Sequence, residues 1–398
     1  MGRSGWREGA IIGALAGLVA HAGCNVDFGY LIPAAAGQLK LLQQTVPIDQ
    51  AIASGDLTDQ QVAKLKLILD VRDYAASRMH LDVENNYTMF YDAGDQPVAI
   101  NLSASRKDAL APKLWSFPIV GTVPYLGFFD PAAATKRRRQ LESEDWDVFT
   151  YEIDAYSAVG FFPNPVLSPM LERDDVSLVD TIMHELLHGT VWRVNDTPFN
   201  ESLATFVGRR GAESYFADRF PDQSDFIRTA GEQFEDVDRF MAFMLDLVEQ
   251  LDAYYHSDLK SSAKITGRAA LIREAAGRFE RDVLPLMHHP EPFAWIANGL
   301  PVNNAWYLGI RRYNLDLDVF EQVFEATGRD WPQSISLFRE AAADPAPYQY
   351  LREWLSGTTA DTTAAKHLDH APGAGLVLPT PERRPCELTR ATTLIAAE

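Results

Sequence analysis

The sequence predicts an α+β protein that is mostly helical, with a small mixed sheet and a long helical hairpin. Residues 86–128 contain short β-like runs separated by turn residues, and residues 146–153 form a further run of this kind. The other segments mostly space their apolar residues at helical intervals. The two longest helical patterns, residues 226–255 and 263–287, are separated only by a short polar stretch. That separation favours an antiparallel pair packed on the rest of the chain.

Composition limits the number of domains and the kinds of partner. With 398 residues, 46% of them hydrophobic, the chain can bury a large core, and one domain with helical additions fits better than three small domains. The formal net charge of −19 argues against a nucleic-acid partner, because a phosphate backbone requires a basic surface.

The N-terminal segment resembles an export signal. Two arginines precede an apolar run over residues 10–20, which is too short to span a membrane, and Cys24 follows. We therefore predict that residues 1–23 are a signal peptide and that Cys24 is lipidated, which would anchor an exported protein to a membrane of the cell envelope, facing the periplasm. Such processing sites usually have an aliphatic residue where this chain has His21, so an export signal cleaved elsewhere or not cleaved is the alternative.

The first half of the chain alternates helical and β-like segments. Apolar spacing predicts helices at residues 31–42, 48–53, 60–79 and 130–142. Strands are predicted at residues 88–91, 97–102, 115–129 and 146–153. Four consecutive basic residues, 136–139, cross the surface of the last of these helices, and a solvated helix face explains them better than an anionic partner.

A helix through His184 and His188 predicts a metal site. Residues four apart on a helix share a face with Cβ atoms about 5–6 Å apart, so both imidazoles can point at one zinc ion. Glu185 lies about 100° further round the helix, beside the ion, where a general base for a zinc-bound water must stand. Ser177 and Asp180 form a capping-box-like start to this helix.

A second helix offers the third ligand. Thr197 is predicted to cap it, with Pro198 at its first position and Glu201 just inside its first turn. Two histidines and a carboxylate leave a fourth zinc position open to water. The competing interpretation is a pair of histidines on an ordinary amphipathic helix, with their hydrogen bonds satisfied by other residues and no metal bound.

The remaining sequence is helical and then loses its apolar pattern. Further helices are predicted at residues 303–312 and 318–326, and the adjacent His288 and His289 are expected in a surface turn. From Ser356 onward Thr, Ala, Pro and Gly dominate, so residues 356–398 are predicted to be a flexible tail. Cys386 lies in that tail, so a disulfide with the only other cysteine is not expected.

Several ordered segments resemble the bacterial putative aminopeptidase family, a group of lipoprotein-like zinc peptidases of the gluzincin type. The matching segments are residues 29–42, 47–48, 115–121, 155–160, 184–188, 200–207 and 303–305. The resemblance implies a zincin-like peptidase domain over residues 24–355 that holds one zinc ion. It also implies that an edge of the sheet, with strand 146–153 as the candidate, pairs with the backbone of a peptide or protein substrate.

The chemistry implied is zinc-dependent hydrolysis of a peptide bond through a zinc-bound water, with Glu185 as the general base. Related enzymes add a tyrosine or histidine that donates a hydrogen bond to the developing oxyanion. Tyr313 is the candidate here, and Tyr307 and Tyr156 are weaker ones. An aminopeptidase also needs a carboxylate for the substrate ammonium, for which Glu152 and Asp154 are the available candidates.

Two other classes of protein fit the sequence less well than a peptidase. A membrane-anchored, zinc-containing binding or assembly-assisting protein without peptidase activity needs no base, and the presence of Glu185 argues against it. A serine hydrolase is not supported, because the sequence contains no Gly-x-Ser-x-Gly.

Overall fold

A computed structural model of the protein describes residues 28–94, 97–117, 121–153, 155 and 163–365. Within these residues the chain is mostly helical with small sheets, which confirms the predicted α+β class. No helix in this part of the chain is both long enough and apolar enough to cross a membrane.

Helices make up most of the described chain. They are α1 (Phe28–Gln43), α2 (Ile48–Ser54), α3 (Asp59–Arg78), α4 (Pro131–Ser143), α5 (Asp175–Thr190), α6 (Thr197–Arg219), α7 (Ser224–Tyr255), α8 (Ser261–Arg278), α9 (Asn304–Tyr313), α10 (Leu317–Ala326), α11 (Trp331–Ala343) and α12 (Pro347–Ala365). The predicted long hairpin corresponds to α7 and α8, whose facing apolar residues share one core.

The strands form three small sheets. They are β1 (Val46–Pro47), β2 (Met89–Tyr91), β3 (Ala99–Arg106), β4 (Trp115–Phe117), β5 (Gly121–Val123), β6 (Tyr125–Phe128), β7 (Trp146–Ile153) and β8 (Val166–Leu167). The sheet orders are β1-β2-β8, with a parallel β2–β8 pair, then β6-β3-β7, which is antiparallel throughout, and the hairpin β4-β5.

The β6-β3-β7 sheet has two different faces because successive side chains on a strand point to opposite sides. Leu102, Leu126 and Val148 face α4 and pack there with Leu141 in a small core. The opposite face carries Tyr125 on β6, Asn101 on β3 and Tyr151 on β7, and α9 lies against it.

Two larger cores lie among the helices. The first contains apolar residues of α3, α5, α6, α10 and α11, and it is built around the two predicted ligand-bearing helices. The second contains the α7–α8 pair and α9. Helix α7 contributes to both cores, so it connects the two halves of the helical layer.

The predicted helix starts were close but wrong in detail. Asp174 caps α5 by accepting a hydrogen bond from the Ser177 amide at 2.9 Å, so the expected box between Ser177 and Asp180 does not form. Asp196 caps α6 by accepting from the Phe199 amide, which makes Thr197 the first helical residue rather than the cap. In each case an aspartate one to three residues earlier takes the capping position.

Helix α12 continues past Ser356, the predicted start of the tail, to Ala365. Four other predicted features lie outside the described residues: the segment 1–23 with Cys24, Asp154, the stretch 156–160 with Tyr156, and Cys386.

Candidate metal centre

The three predicted ligands converge. His184 and His188 project from α5, and Glu201 projects from the first turn of α6. The Nε2 atoms of His184 and His188 lie 3.5 Å and 3.4 Å from the same Glu201 oxygen, Oε2. His188 and Glu201 are buried, while His184 is half-buried.

The spacing of these atoms fits a tetrahedral metal site. Ligand atoms that each stand about 2.0–2.1 Å from a zinc ion are separated from one another by about 3.3 Å in a tetrahedron. One ligand atom from each of the three residues lies within 4.8 Å of the others, and no second group of three candidate ligands occurs among the described residues. Two imidazoles and one carboxylate therefore present a site that zinc or a similar divalent ion can occupy.

The charges of the three groups are strongly coupled. Burial alone raises the pKa of the Glu201 carboxyl, but His188 and His184 outweigh burial and lower that pKa well below its usual range. Burial alone lowers the pKa of His184, whereas the hydrogen bond to Glu201 and the charge of Glu185 raise it, with a net increase. The carboxylate thus stays ionised next to two imidazoles, as a metal ligand must.

Glu185 lies beside the three ligands without being one of them. It is half-buried, and burial raises the pKa of its carboxyl, although the adjacent His184 and His188 lower it in part. A carboxylate whose proton affinity is raised in this way is better suited to accept a proton than an exposed one.

Two glycines on α6 allow the ligand-bearing helices to approach closely. A Cβ on Gly208 would meet the Asp180 carboxylate, the Asp180 carbonyl oxygen at 2.8 Å and the His184 Cβ at 3.2 Å. A Cβ on Gly211, one turn later, would collide with the Met183 sulfur. The distance between His184 and Glu201 therefore depends on residues that have no side chain.

The sheet supplies one wall of the site. The Tyr125 hydroxyl lies 3.5 Å from Glu201 Oε1, on the carboxylate oxygen that does not face the histidines. On the same face of the sheet, the Tyr151 hydroxyl accepts a hydrogen bond from the side-chain Nδ2 of Asn101 at 3.0 Å. Sequence reasoning missed Tyr125, Asn101 and Tyr151; the two-residue alternation of the predicted strands was the only signal available for them.

Helix α9 supplies another wall and carries the predicted Tyr313 at its end. The Tyr313 ring stacks at 6.1 Å from the His184 ring, so Tyr313 lies next to the metal ligands. Burial raises the pKa of its hydroxyl well above the usual value, and the charge of Glu201 adds to the increase. Tyr307, one of the weaker candidates, is instead enclosed in the second core against Trp306.

The Asn303–Asn304 segment positions α9 rather than contacting the ligands. The Asn303 side chain caps α9 by accepting from the Ala305 amide, and its Nδ2 donates to the Val148 carbonyl. The backbone N–H of Asn304 donates a hydrogen bond to the Asp147 carboxylate at 2.8 Å. The side-chain Nδ2 of Asn304 donates to the Arg106 carbonyl on β3. The start of α9 is therefore fastened to β7 and β3.

The end of α9 is fastened to the ligand-bearing helix by Ser202, the residue after Glu201. Its buried hydroxyl donates to the Arg312 carbonyl at 3.2 Å and accepts from the Leu315 amide at 2.8 Å. Tyr313 lies between these two anchor points, so its position relative to Glu201 depends on them.

The predicted carboxylate for a substrate ammonium is not found in the described part of the site. Glu152 is exposed and sits next to Tyr151 on β7, so it points to the opposite face of the sheet. The other candidate, Asp154, lies outside the described residues.

Comparison with known proteins gives a family. No curated protein and no solved structure matches the chain significantly. The family model described as Putative aminopeptidase matches residues 29–350, a span that includes every element around the three candidate ligands. The chain therefore belongs to the Putative aminopeptidase family, whose name indicates a peptidase.

Proposed function

We propose that this protein is a zinc-dependent peptidase that hydrolyses peptide bonds with Glu185 as the general base. The observation that carries the proposal is the convergence of His184, His188 and Glu201, with the non-ligating carboxylate of Glu185 beside them. A metal that served only the fold would need no such base.

His184, His188 and Glu201 would hold the metal. When bound, zinc would polarise the scissile carbonyl and make an adjacent water more acidic. All other steps fall to side chains of the chain itself.

Glu185 would move the proton. Its carboxylate would take a proton from the attacking water as the new C–O bond forms at the scissile carbonyl carbon. It would then give that proton to the amine nitrogen as the C–N bond breaks. The increase in its pKa on burial suits both transfers.

Tyrosine hydroxyls would stabilise the developing oxyanion. Burial keeps Tyr313 and Tyr125 protonated at any physiological pH, so both would remain hydrogen-bond donors. Tyr313 beside His184 and Tyr125 beside Glu201 approach the centre from different elements, α9 and β6. We assign the donor role to Tyr313, because its ring stacks on the metal-ligand candidate His184, whereas the Tyr125 hydroxyl contacts the Glu201 carboxylate.

A strand edge next to the centre would align the substrate. The backbone N–H and C=O groups of Gly127 both contact the Tyr30 hydroxyl of α1, so they point away from β3. Tyr125, two residues earlier on β6, must point its backbone groups the same way. Tyr30 occupies this edge at Gly127, so an extended peptide would pair with β6 at Tyr125. The outer edge of β7, the strand suggested by the sequence, is covered at Val148 by Asn303.

We further propose, from the sequence alone, that residues 1–23 direct export and that lipidation of Cys24 anchors the protein to a membrane of the cell envelope. A peptidase anchored in this way would act on exported peptides or proteins.

Zinc content and peptide cleavage measured together would test the proposed function. The purified protein should bind about one zinc ion and cleave members of a peptide library. Glu185→Gln should retain the zinc and lose turnover by orders of magnitude, whereas His188→Ala should lose both. Glu152→Gln, on the far face of the sheet, is the matched control and should behave as the wild type. Full turnover in the Glu185→Gln variant would remove this residue from the mechanism.

A further inference from the structure

Arg312 is a buried cation that no described carboxylate neutralises. It is 6% exposed, and its guanidinium lies over the Tyr125 ring with 5.2 Å between the guanidinium carbon and the ring centroid. Apart from this contact, its guanidinium has neither an ion pair nor a hydrogen bond with any described residue. An aromatic face attracts a cation but does not neutralise it.

Elsewhere the described chain pairs its buried cations. Arg268 makes two hydrogen bonds to the carboxylate of Asp147, and Lys64 pairs with Asp175. Those two residues and Arg312 are the buried lysine and arginine residues of the described part. Because burying a charge without a counter-ion is costly, Arg312 is the exception among these three residues, and its guanidinium is available to an anionic ligand.

The position of Arg312 relates it to the candidate metal centre. The Tyr125 ring that lies against the Arg312 guanidinium carries the hydroxyl that contacts Glu201. The backbone carbonyl of Arg312 accepts a hydrogen bond from Ser202, the neighbour of Glu201. Its charge also acts on Tyr125, Tyr151 and Tyr313, lowering the pKa of each against the larger effect of burial. The guanidinium is thus separated from the metal ligands by one tyrosine side chain.

We propose that Arg312 binds a carboxylate of the peptide substrate close to the scissile bond, an inference that rests on the proposed function. The planar guanidinium matches a carboxylate with two parallel hydrogen bonds, which lysine cannot do. Successive residues of an extended peptide advance by about 3.4 Å, so the carboxylate belongs to a residue adjacent or nearly adjacent to the cleaved bond. An acidic side chain and a free C-terminal carboxylate offer the same chemistry.

Matched peptides distinguish the two sources of the carboxylate. The probes are alanine pentapeptides with Glu or Gln at each position in turn, each made with a free or an amidated C-terminus. Binding is measured by calorimetry on the zinc-loaded Glu185→Gln protein, which separates affinity from turnover. Either one Glu position or the free C-terminus should bind about 10- to 100-fold more tightly than its neutral counterpart.

Replacing Arg312 should remove that preference. In the Glu185→Gln background, Arg312→Met should weaken binding of the preferred carboxylate peptide by the same 10- to 100-fold. Arg312→Lys should fall between the two, because it keeps the charge without the planar fork. Arg311→Met, the same change at the preceding residue of α9, is the control and should keep the full preference.

A thermal measurement separates recognition from a structural role. Removing an uncompensated buried charge should leave the Tm of the ligand-free Arg312→Met protein equal to or above that of the parent. Equal affinity for neutral and carboxylate peptides in the parent, or a preference that survives Arg312→Met, would overturn the inference. Hydrolysis by the wild type without any carboxylate preference refutes only the role of Arg312. Carboxylate-selective binding by a protein that never hydrolyses peptides refutes the peptidase and leaves Arg312 as an anion-binding residue.

Discussion

Gly208→Ala is expected to damage the metal centre without touching a ligand. Gly208 lies on the face of α6 that packs against α5, facing Asp180 and His184. The Asp180 side chain could rotate away from an added methyl group. The Asp180 carbonyl oxygen cannot, because it belongs to the backbone of α5.

The size of the effect follows from the contact distances. The new Cβ would stand 2.8 Å from the Asp180 carbonyl oxygen, about 0.6 Å short of ordinary contact at 3.4 Å. Relief requires α5 and α6 to separate by a similar amount, which exceeds the tolerance of about 0.2 Å for metal–ligand distances. We expect zinc affinity to fall by about 10- to 100-fold, the range seen when groups supporting a metal ligand are removed. Overpacking should cost about 1–3 kcal/mol of stability, offset by roughly 1 kcal/mol from the better helix propensity of alanine.

Zinc affinity measured by competition with a chromophoric chelator would test this reasoning, with thermal unfolding followed in the presence and absence of zinc. Gly231→Ala on α7 is the matched control, because a Cβ there meets nothing within 4 Å and should leave zinc affinity unchanged. The reasoning would be refuted by a Gly208→Ala protein that binds zinc as tightly as the wild type. It would also be refuted if both alanine variants lost the same affinity.

Other substitutions probe the groups around the ligands. Tyr313→Phe removes one hydroxyl, so kcat should fall by about 10²–10³-fold while zinc affinity stays unchanged. Wild-type turnover in this variant would show that Tyr313 contributes only to packing. Ser202→Ala leaves the Arg312 carbonyl and the Leu315 amide without their partner, which should cost about 1–3 kcal/mol in unfolding experiments and lower kcat more than zinc affinity. Cys24→Ser should move the protein from the membrane fraction to the soluble fraction or stall its processing, and recovery of residues 1–23 on the mature wild type would contradict the lipid anchor.

The part of the site that depends on local geometry was predictable from sequence. His184 and His188 share a face because four residues make about one helical turn, and Glu201 follows at a distance that allows one turn between two helices. The helix starts were less predictable, because several aspartate, serine and threonine residues compete for each cap and the backbone conformation selects one.

The walls of the site could not be predicted, because they depend on contacts between distant segments. Tyr125 meets Glu201 across 76 residues, and Arg312 reaches Tyr125 only through the packing of α9 against the sheet. Strand periodicity places Tyr125 and Tyr151 on one face, but the register that aligns them through β3 is a tertiary property. An unpaired arginine cannot be recognised in a sequence, since its partners are unknown until the chain is folded.

The division of the site between cores has a consequence for its mechanics. The metal ligands stand on α5 and α6, which belong to the first core, whereas Tyr313 and Arg312 stand on α9, which belongs to the second. The polar contacts of Ser202 with α9 and of Tyr125 with Glu201 cross between these groups. Because Ser202 holds the end of α9 against α6, Tyr313 and Arg312 keep a fixed position relative to Glu201 even though their helix packs in the other core. The proposed oxyanion donor and the proposed carboxylate-binding arginine are therefore expected to lose their alignment together when this contact is removed.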